Sequence, residues 1–309
     1  MKNQILNEYS ELPFIFGGAS LSGDSGGYGF GQISSKDSQQ LLEFCYESSL
    51  RVFDTAPIYG FGESEETIGS FVKGKREDCF LISKGGVSWH NSKRVNMTNE
   101  PKVIETMIHE SLTRLNTDYI DLYMIHWPDE RVDIRRALEV LVKAKEKEKI
   151  KHIGLCNTNL DDINKANELE RIQFIQSELN YFNQAPYNDT KDYLQNEDVT
   201  FMSWGTLDKG ILTKRAHKQR KYDSSDARSW APWWKKMDKN SKYERVEKLE
   251  KSLLNYGVSL LEFALHYNLS FEYLDYVLVG AKKPQQLYEI VKALKKEIPK
   301  ELKEIMYEL

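Results

Sequence analysis

The segment Val52-Phe53-Asp54-Thr55-Ala56-Pro57-Ile58-Tyr59-Gly60 ends a short apolar run in an acid and sets a phenol five residues later, beside a glycine. Two further apolar runs also end in ionisable residues: Leu81-Ile82-Ser83-Lys84 and Leu122-Tyr123-Met124-Ile125-His126. An acid, a phenol, an ammonium and an imidazole thus come from separate strand ends. A free phenol has a pKa near ~10 and keeps its proton at neutral pH. A neighbouring ammonium favours the phenolate and lowers that value. Asp54 can hold Lys84 charged and oriented, and His126 can hydrogen-bond a substrate oxygen. Tyr59 then serves as a general acid in reduction or a general base in oxidation. A tyrosine acid with no metal or nucleophile beside it needs another agent to attack the carbonyl carbon, and hydride from a reduced nicotinamide is the obvious one. Taken singly, each residue has a plainer use. A strand-end Asp caps turns and helices, a Tyr packs, and a His after an apolar run is commonly a hydrogen-bonded core residue. A Lys ending an apolar strand must reach solvent or find an acid. The case rests on all four falling at the same end of successive strands.

Eight short apolar runs read as strands buried on both faces: residues 14–17, 51–56, 79–84, 119–126, 150–157, 174–179, 200–205 and 276–281. Helical patterns alternate with them at 35–49, 64–72, 101–115, 134–147, 160–169, 185–195, 242–256 and 284–293. Ser35 opens the first as a cap, Glu65 and Glu66 suit the first turn of the second, and Pro101 stands at the first position of the third. Eight βα units in a row predict an α/β fold, a (β/α)8 TIM barrel forming one domain over residues 1–309. A doubly wound sheet is the alternative. Two long irregular stretches, 17–33 and 213–241, would lie on the C-terminal face, where active sites form in such barrels.

Composition excludes other classes. Charged residues make up 29% of the chain but are mixed in sign, with a net charge of −4, so no basic stripe suggests nucleic acid. The sign-alternating stretch 143–151 reads as a solvated helix face. The first ten residues are polar and acidic, predicting no signal peptide, and no apolar run approaches the ~18 residues of a membrane span. Cys45, Cys79 and Cys156 are odd in number and far apart, which suits a reducing cytoplasm. The six histidines never fall at metal-ligand spacing, so no metal is expected. The glycines of 17–31 do not space as G-x-G-x-x-G. Gly69 to Arg76 nearly spells a P-loop, but Arg76 replaces the magnesium-binding hydroxyl and the segment ends a helix.

At this point the residues match a known family. The chain resembles the aldo-keto reductase superfamily over nearly its whole length. The matching pieces are Phe53-Asp54-Thr55-Ala56 with Tyr59-Gly60, Ser83-Lys84, Asp121-Leu122-Tyr123 with His126-Trp127-Pro128-Asp129, Ile153-Gly154-Leu155-Cys156-Asn157, Gln176 with Glu178, Gly210-Ile211-Leu212-Thr213, and Val279-Gly280-Ala281 with Pro284. Asp226-Ala227-Arg228-Ser229 with Pro232-Trp233 looks like the bacterial branches that act on small aldehydes or sugars. The resemblance implies a catalytic tetrad of Asp54, Tyr59, Lys84 and His126, and an NAD(P)H bound in an extended pose. Cys156, Asn157 and Gln176 would hold the nicotinamide carboxamide, with Cys156 where Ser is usual. Trp204 would stack on the nicotinamide in place of the usual Tyr. Gly205, Leu207, Lys209 and Gly210 would meet the pyrophosphate, although Gly205 lacks the hydroxyl that the family often has there. Gly280, Lys282, Gln286 and Glu289 would line the adenosine end. Lys282 as a point charge favours NADPH, with NADH the alternative.

Tyr28, Trp89, Trp127 and Trp230 are expected to wall the substrate pocket, with Phe30, Trp233 and Trp234 as further candidates. An aromatic wall with a hydroxyl-bonding His suits an aldehyde, ketone or sugar. The implied function is an NAD(P)H-dependent carbonyl reductase or alcohol dehydrogenase acting on a small molecule. No nucleic-acid or membrane partner is expected, and the chain would be a monomer or weak homo-oligomer. The rival reading from another class is a cofactor-sensing regulatory subunit of the potassium-channel β type, which keeps the same tetrad. A hydrolase pairing Asp54 with Glu178 would leave Tyr59, Lys84 and Trp204 without roles.

Overall fold

The structure, a computed structural model, describes residues 5–308. The first four residues of the polar N-terminal stretch lie outside that range. Eight parallel strands close into a barrel: β1 (Phe14–Gly17), β2 (Val52–Asp54), β3 (Phe80–Gly85), β6 (Ile120–Ile125), β7 (Ile150–Cys156), β8 (Phe174–Glu178), β9 (Thr200–Trp204) and β10 (Tyr276–Val279), with β10 returning to β1. Each expected strand is present, trimmed or shifted by a residue or two at its ends. A small antiparallel hairpin, β4 (Val87–Trp89) with β5 (Val95–Met97), follows β3. Its period-two signal is only three residues long on each side, too short to read from the sequence.

Side chains alternate across each strand. Ile15, Val52, Ile82, Leu122, Met124, Phe174, Met202 and Leu278 form one buried cluster inside the barrel. Phe14, Phe16, Phe53, Leu81, Tyr123 and Ile125 belong to another, between strands and helices. Leu6 closes the lower end, with the Tyr9 ring 5.5 Å from that of Phe80. The same alternation places the polar residues. Asp54 stands two after Val52, Lys84 two after Ile82, Gln176 two after Phe174, and Trp204 two after Met202. Each therefore continues an interior row up to the barrel mouth.

The helices are α1 (Ser35–Glu47), α2 (Glu63–Val72), α3 (Pro101–Arg114), α4 (Ile134–Glu146), α5 (Leu160–Asn167), α6 (Ala185–Asn196), α7 (Ala227–Trp230), α8 (Pro232–Lys236), α9 (Lys239–Leu254), α10 (Leu260–Leu269), α11 (Pro284–Lys295) and α12 (Lys300–Ile305). Side-chain caps start several of them. The cap of α1 is Ser34, one residue before the expected Ser35, and its oxygen accepts from the Asp37 N–H at 3.0 Å; Ser259 with Glu262 forms a reciprocal capping box before α10.

Two expectations change here. The stretch 213–241 is not wholly irregular, because α7, α8 and the start of α9 lie within it. The helix expected over 242–256 is α9, but the unexpected α10 is the one that packs against α11 and β10. Helices α9, α10 and α12 instead build a separate apolar cluster. There Leu249, Leu253, Phe263 and Leu302 meet Ile211, Leu212 and Ala216 of the segment after β9. No helix among the described residues is long and apolar enough to cross a membrane.

Candidate active site

At the barrel mouth the Lys84 ammonium donates to both Asp54 carboxylate oxygens at 2.7 Å and to the Thr55 carbonyl at 3.0 Å. Lys84 is 1% exposed and Asp54 2%. A buried charge persists only when paired and hydrogen-bonded, and this pair satisfies that condition. Burial disfavours the ammonium, but Asp54 and then Tyr59 outweigh it and raise the Lys84 pKa. The Gln176 amide adds a donor to Asp54 at 2.9 Å.

Tyr59 follows β2 in a turn that places Lys84 Nζ 5.4 Å from its ring centre. The His126 ring meets that ring edge-on, with centres 5.9 Å apart. The four residues expected from three strand ends thus come together. The expected direction of the Tyr59 shift is corrected. Burial is the largest influence and pushes the phenol up to about 12, while the Lys84 charge only partly opposes it. The phenol is accordingly protonated. Burial, and then the Lys84 charge, lower the His126 pKa well below the ordinary value, so the ring is neutral. A neutral imidazole can both donate and accept.

A cleft of about 1680 Å³ opens from this cluster and is lined by Tyr59, His126, Asn157, Trp204, Lys282 and Glu289. Drug-sized ligands occupy pockets of roughly 300–1,000 Å³, so the space suits a dinucleotide with a small substrate. Asn157 adopts a left-handed φ of 56°. Its amide donates to the His126 carbonyl at 3.0 Å and to Cys156 Sγ at 3.1 Å, and it accepts from the Trp204 indole at 2.8 Å. Cys156 donates to Gln176 at 3.5 Å, and burial pushes its thiol up to about 12. Gly205 has φ of 74°, and an added Cβ would lie 3.2 Å from Glu178 Cγ. The missing hydroxyl there has a backbone cause, because left-handed φ favours glycine. Next to it, the N–H groups of Thr206 and Leu207 have no intramolecular partner among the described residues. They suit an anionic group, whereas the N–H of Gly210, along the same wall, is already donated to the Leu207 carbonyl at 2.9 Å.

Lys209 lies along that wall but is committed to a carboxylate, paired with Glu178. It is not the free charge that the sequence suggested. The same pair removes Glu178 as a hydrolytic partner for Asp54, whose own charge is engaged by Lys84. Gln286 and Gly280 line the cleft, and the Gln286 side chain accepts from the N–H groups of Lys282 and Lys283 at 2.7 and 3.1 Å.

Of the four residues expected to wall the substrate pocket, two line the cleft. Tyr28 and Trp127 line the cleft, joined by Phe30 and Trp233. Trp89 and Trp230 do not. The Trp89 ring centre lies 5.2 Å from that of Phe61, and the Trp230 ring centre 5.4 Å from that of Tyr28. The apolar lining that the sequence missed is Ile58, Val87 and Met97, the last two from the hairpin. Also missed were Arg215, Arg220 and Lys221 in its lining. Their signal was present, a run of cations in a long loop after a strand end.

A model of the aldo/keto reductase family matches residues 13–308. The chain belongs to the aldo/keto reductase family. It is 31% identical over 265 residues to the aldo-keto reductase YhdN of Bacillus subtilis (strain 168), covering 85% of this chain and 80% of that one. It is 27% identical over 262 residues to a protein of Escherichia coli (strain K12) named NADH-specific methylglyoxal reductase, covering 81% and 80%. The fold of this aldo/keto reductase matches a glycerol dehydrogenase from Gluconobacter oxydans with a TM-score of 0.81 at 24% identity, covering 96% and 90% of the two chains. It also matches the holo form of an aldo-keto reductase from Bacillus halodurans, with a TM-score of 0.77 at 22% identity, covering 97% and 93%.

Proposed function

We propose that this aldo/keto reductase is an NADPH-dependent oxidoreductase that reduces an aldehyde, ketone or sugar carbonyl to an alcohol, or runs the reverse reaction. The observation that carries the reading is the buried Asp54–Lys84 pair set beneath Tyr59 at one end of a dinucleotide-sized cleft. The nicotinamide, when bound, supplies hydride to the carbonyl carbon. Tyr59 holds its proton and delivers it from the phenol oxygen to the substrate oxygen. Lys84 faces that phenol with a positive charge and stabilises the phenolate left behind, and Asp54 fixes Lys84 in place. His126, kept neutral, hydrogen-bonds the substrate oxygen and orients the carbonyl. Asn157 and Gln176 offer amide groups to a carboxamide, and Trp204 offers an indole face for stacking. Tyr28, Ile58, Val87, Met97 and Trp127 exclude water around the substrate. All three thiols are free and buried, in keeping with work in a reducing compartment such as the cytoplasm.

Tyr59→Phe tests the reading. Positioned acids contribute roughly 10²–10⁴-fold, so turnover on a panel of aldehydes and sugars should fall by at least the lower figure. Fluorescence titration with NADPH and NADH should give unchanged affinities. Equal turnover in the variant would remove Tyr59 from the mechanism.

A further inference from the structure

Tyr59 is carried by a loop whose two ends are tied together. The Thr55 and Ser64 hydroxyl oxygens lie 2.8 Å apart, and Ser64 donates to the Gly18 carbonyl at 2.8 Å. A serine hydroxyl has one proton, so Thr55 is the donor to Ser64. The Ser64 N–H also donates to the Tyr59 carbonyl at 3.2 Å. Residues 55–64 thus close on themselves, with the phenol near their middle. Thr55 follows Asp54, and its carbonyl accepts from Lys84. Between Tyr59 and α2 the chain turns through Gly60, Phe61 and Gly62, at left-handed φ of 68°, 51° and 104°.

Glu65, beside Ser64, ties this loop to the neighbouring strand. It is wholly buried in the first turn of α2. One carboxylate oxygen accepts from the Ser83 hydroxyl at 2.6 Å, and the other from Arg114 Nε of α3 at 2.6 Å. Ser83 immediately precedes Lys84, and alternation sends the two side chains to opposite faces of β3. Arg114 supplies the counter-charge that a buried carboxylate requires. Its stem runs so close to the turn that a Cβ on Gly62 would lie 2.6 Å from Arg114 Cδ. Consecutive residues of α2 therefore grip the residue after Asp54 and the residue before Lys84. The proton transfer assigned above to Tyr59 depends on that relative placement, and a shift of about 1 Å imposed from afar can cost on the order of 10²-fold in rate.

Resting on the oxidoreductase reading, we propose that Glu65 is a positioning residue: through Ser83 it registers the loop that carries Tyr59 against the strand that carries Lys84. Its bond to Arg114 balances charge, and its bond to Ser83 serves the reaction.

The two bonds can be separated. The proteins are wild type, Ser83→Ala, Glu65→Ala, the double variant Glu65→Gln with Arg114→Met, and Ser83→Ala in the Tyr59→Phe background. Each is followed by steady-state reduction of a carbonyl panel at saturating cofactor, by fluorescence titration of the cofactor and by thermal melting. Ser83→Ala keeps the ion pair, so its melting midpoint should fall by less than about 5 °C. Its kcat should nevertheless fall roughly tenfold or more, with KM and cofactor affinity within about twofold of wild type. Glu65→Ala strands Arg114 and should lose both stability and kcat. The double variant strands no charge and keeps an acceptor for Ser83, so its kcat should return to within about threefold of wild type. A purely structural role would make kcat follow the melting midpoint across the set. In the Tyr59→Phe background Ser83→Ala should slow the residual turnover by less than about twofold, because the two act through the same group. The proposal is overturned if Ser83→Ala keeps wild-type kcat, if the double variant is as slow as Glu65→Ala, or if Ser83→Ala slows Tyr59→Phe by the factor it imposes on wild type. A wild-type chain that reduces no carbonyl would overturn the oxidoreductase reading and this inference with it, a result distinct from an active wild type with indifferent variants.

Discussion

Removing the carboxylate of Asp54 should leave a buried ammonium without its counter-charge. Lys84 has two 2.7 Å contacts to Asp54, and its remaining partner is the Thr55 carbonyl. Breaking a buried pair from one side typically costs about 3–5 kcal/mol. Unfolding entropy near 2.1 cal/mol/K per residue gives a chain of this length roughly 0.65 kcal/mol/K, so Asp54→Asn should lower the thermal midpoint by about 5–8 °C. Lys84→Met should cost a similar amount, because Asp54 then stands buried with Gln176 as its remaining donor. The double variant has no stranded charge, so its cost should fall short of the summed singles by about 2–3 kcal/mol.

The pH dependence separates this account from simple loss of packing. In the wild-type chain the Lys84 pKa is raised. Its contribution is therefore complete below the unfolded value near ~10.4 and is lost as pH rises through the folded value. In Asp54→Asn, burial is opposed only by the weaker influence of Tyr59 and the Thr55 carbonyl, and the folded value drops below ~10.4. The unfolded chain then binds more protons in the window between the two, and stability rises with pH across it. Melting of all four proteins at about pH 7 and about pH 9.5 measures both effects. An Asp54→Asn midpoint close to wild type, or additive singles, or a variant that loses stability with pH in step with wild type, would refute the reasoning.

Two further outcomes follow from the site. Since burial pushes the Tyr59 phenol to about 12, ultraviolet difference titration of the cofactor-free chain against Tyr59→Phe should show no Tyr59 phenolate below about pH 10; a phenolate forming between about pH 7 and 9 would contradict it. Cys156→Ser replaces a weak donor at 3.5 Å from Gln176 with a hydroxyl, a change on the order of 1 kcal/mol, so both NADPH and NADH should bind several-fold tighter by titration, and unchanged binding would show that this contact does not carry over to the bound state.

The barrel was legible because strands buried on both faces are written as short apolar runs, and because period-two alternation carries each interior row into Asp54, Lys84, Gln176 or Trp204. Helix α10 was not legible for the opposite reason. Leu260, Phe263, Ala264, Leu265, Tyr267 and Asn268 are all buried, so the helix shows little contrast between faces and offers no stripe to read. Its capping box at Ser259 and Glu262 was the signal that remained. The tetrad was legible as a set of strand-end residues, but the direction of the Tyr59 shift was not. Sequence shows that an ammonium is near; it does not show how dry the surroundings are, and here dryness dominates. Trp89 and Trp230 were misplaced because composition marks an aromatic loop without saying which ring faces the cleft and which stands behind it. Lys209 and Lys282 read as free charges because their partners, Glu178 and the Gly31 and Gln32 carbonyls, come from distant parts of the chain.

The apolar cluster shared by α9, α10, α12 and the segment after β9 gives the end of the chain a bearing on ligand affinity. Leu302 and Met306 share it with Leu212 and Ala216, which stand beside the cleft-lining Thr213 and Arg215 in the chain. Shortening the protein from its carboxyl end would therefore loosen the grip on a bound molecule without deleting any group that touches it.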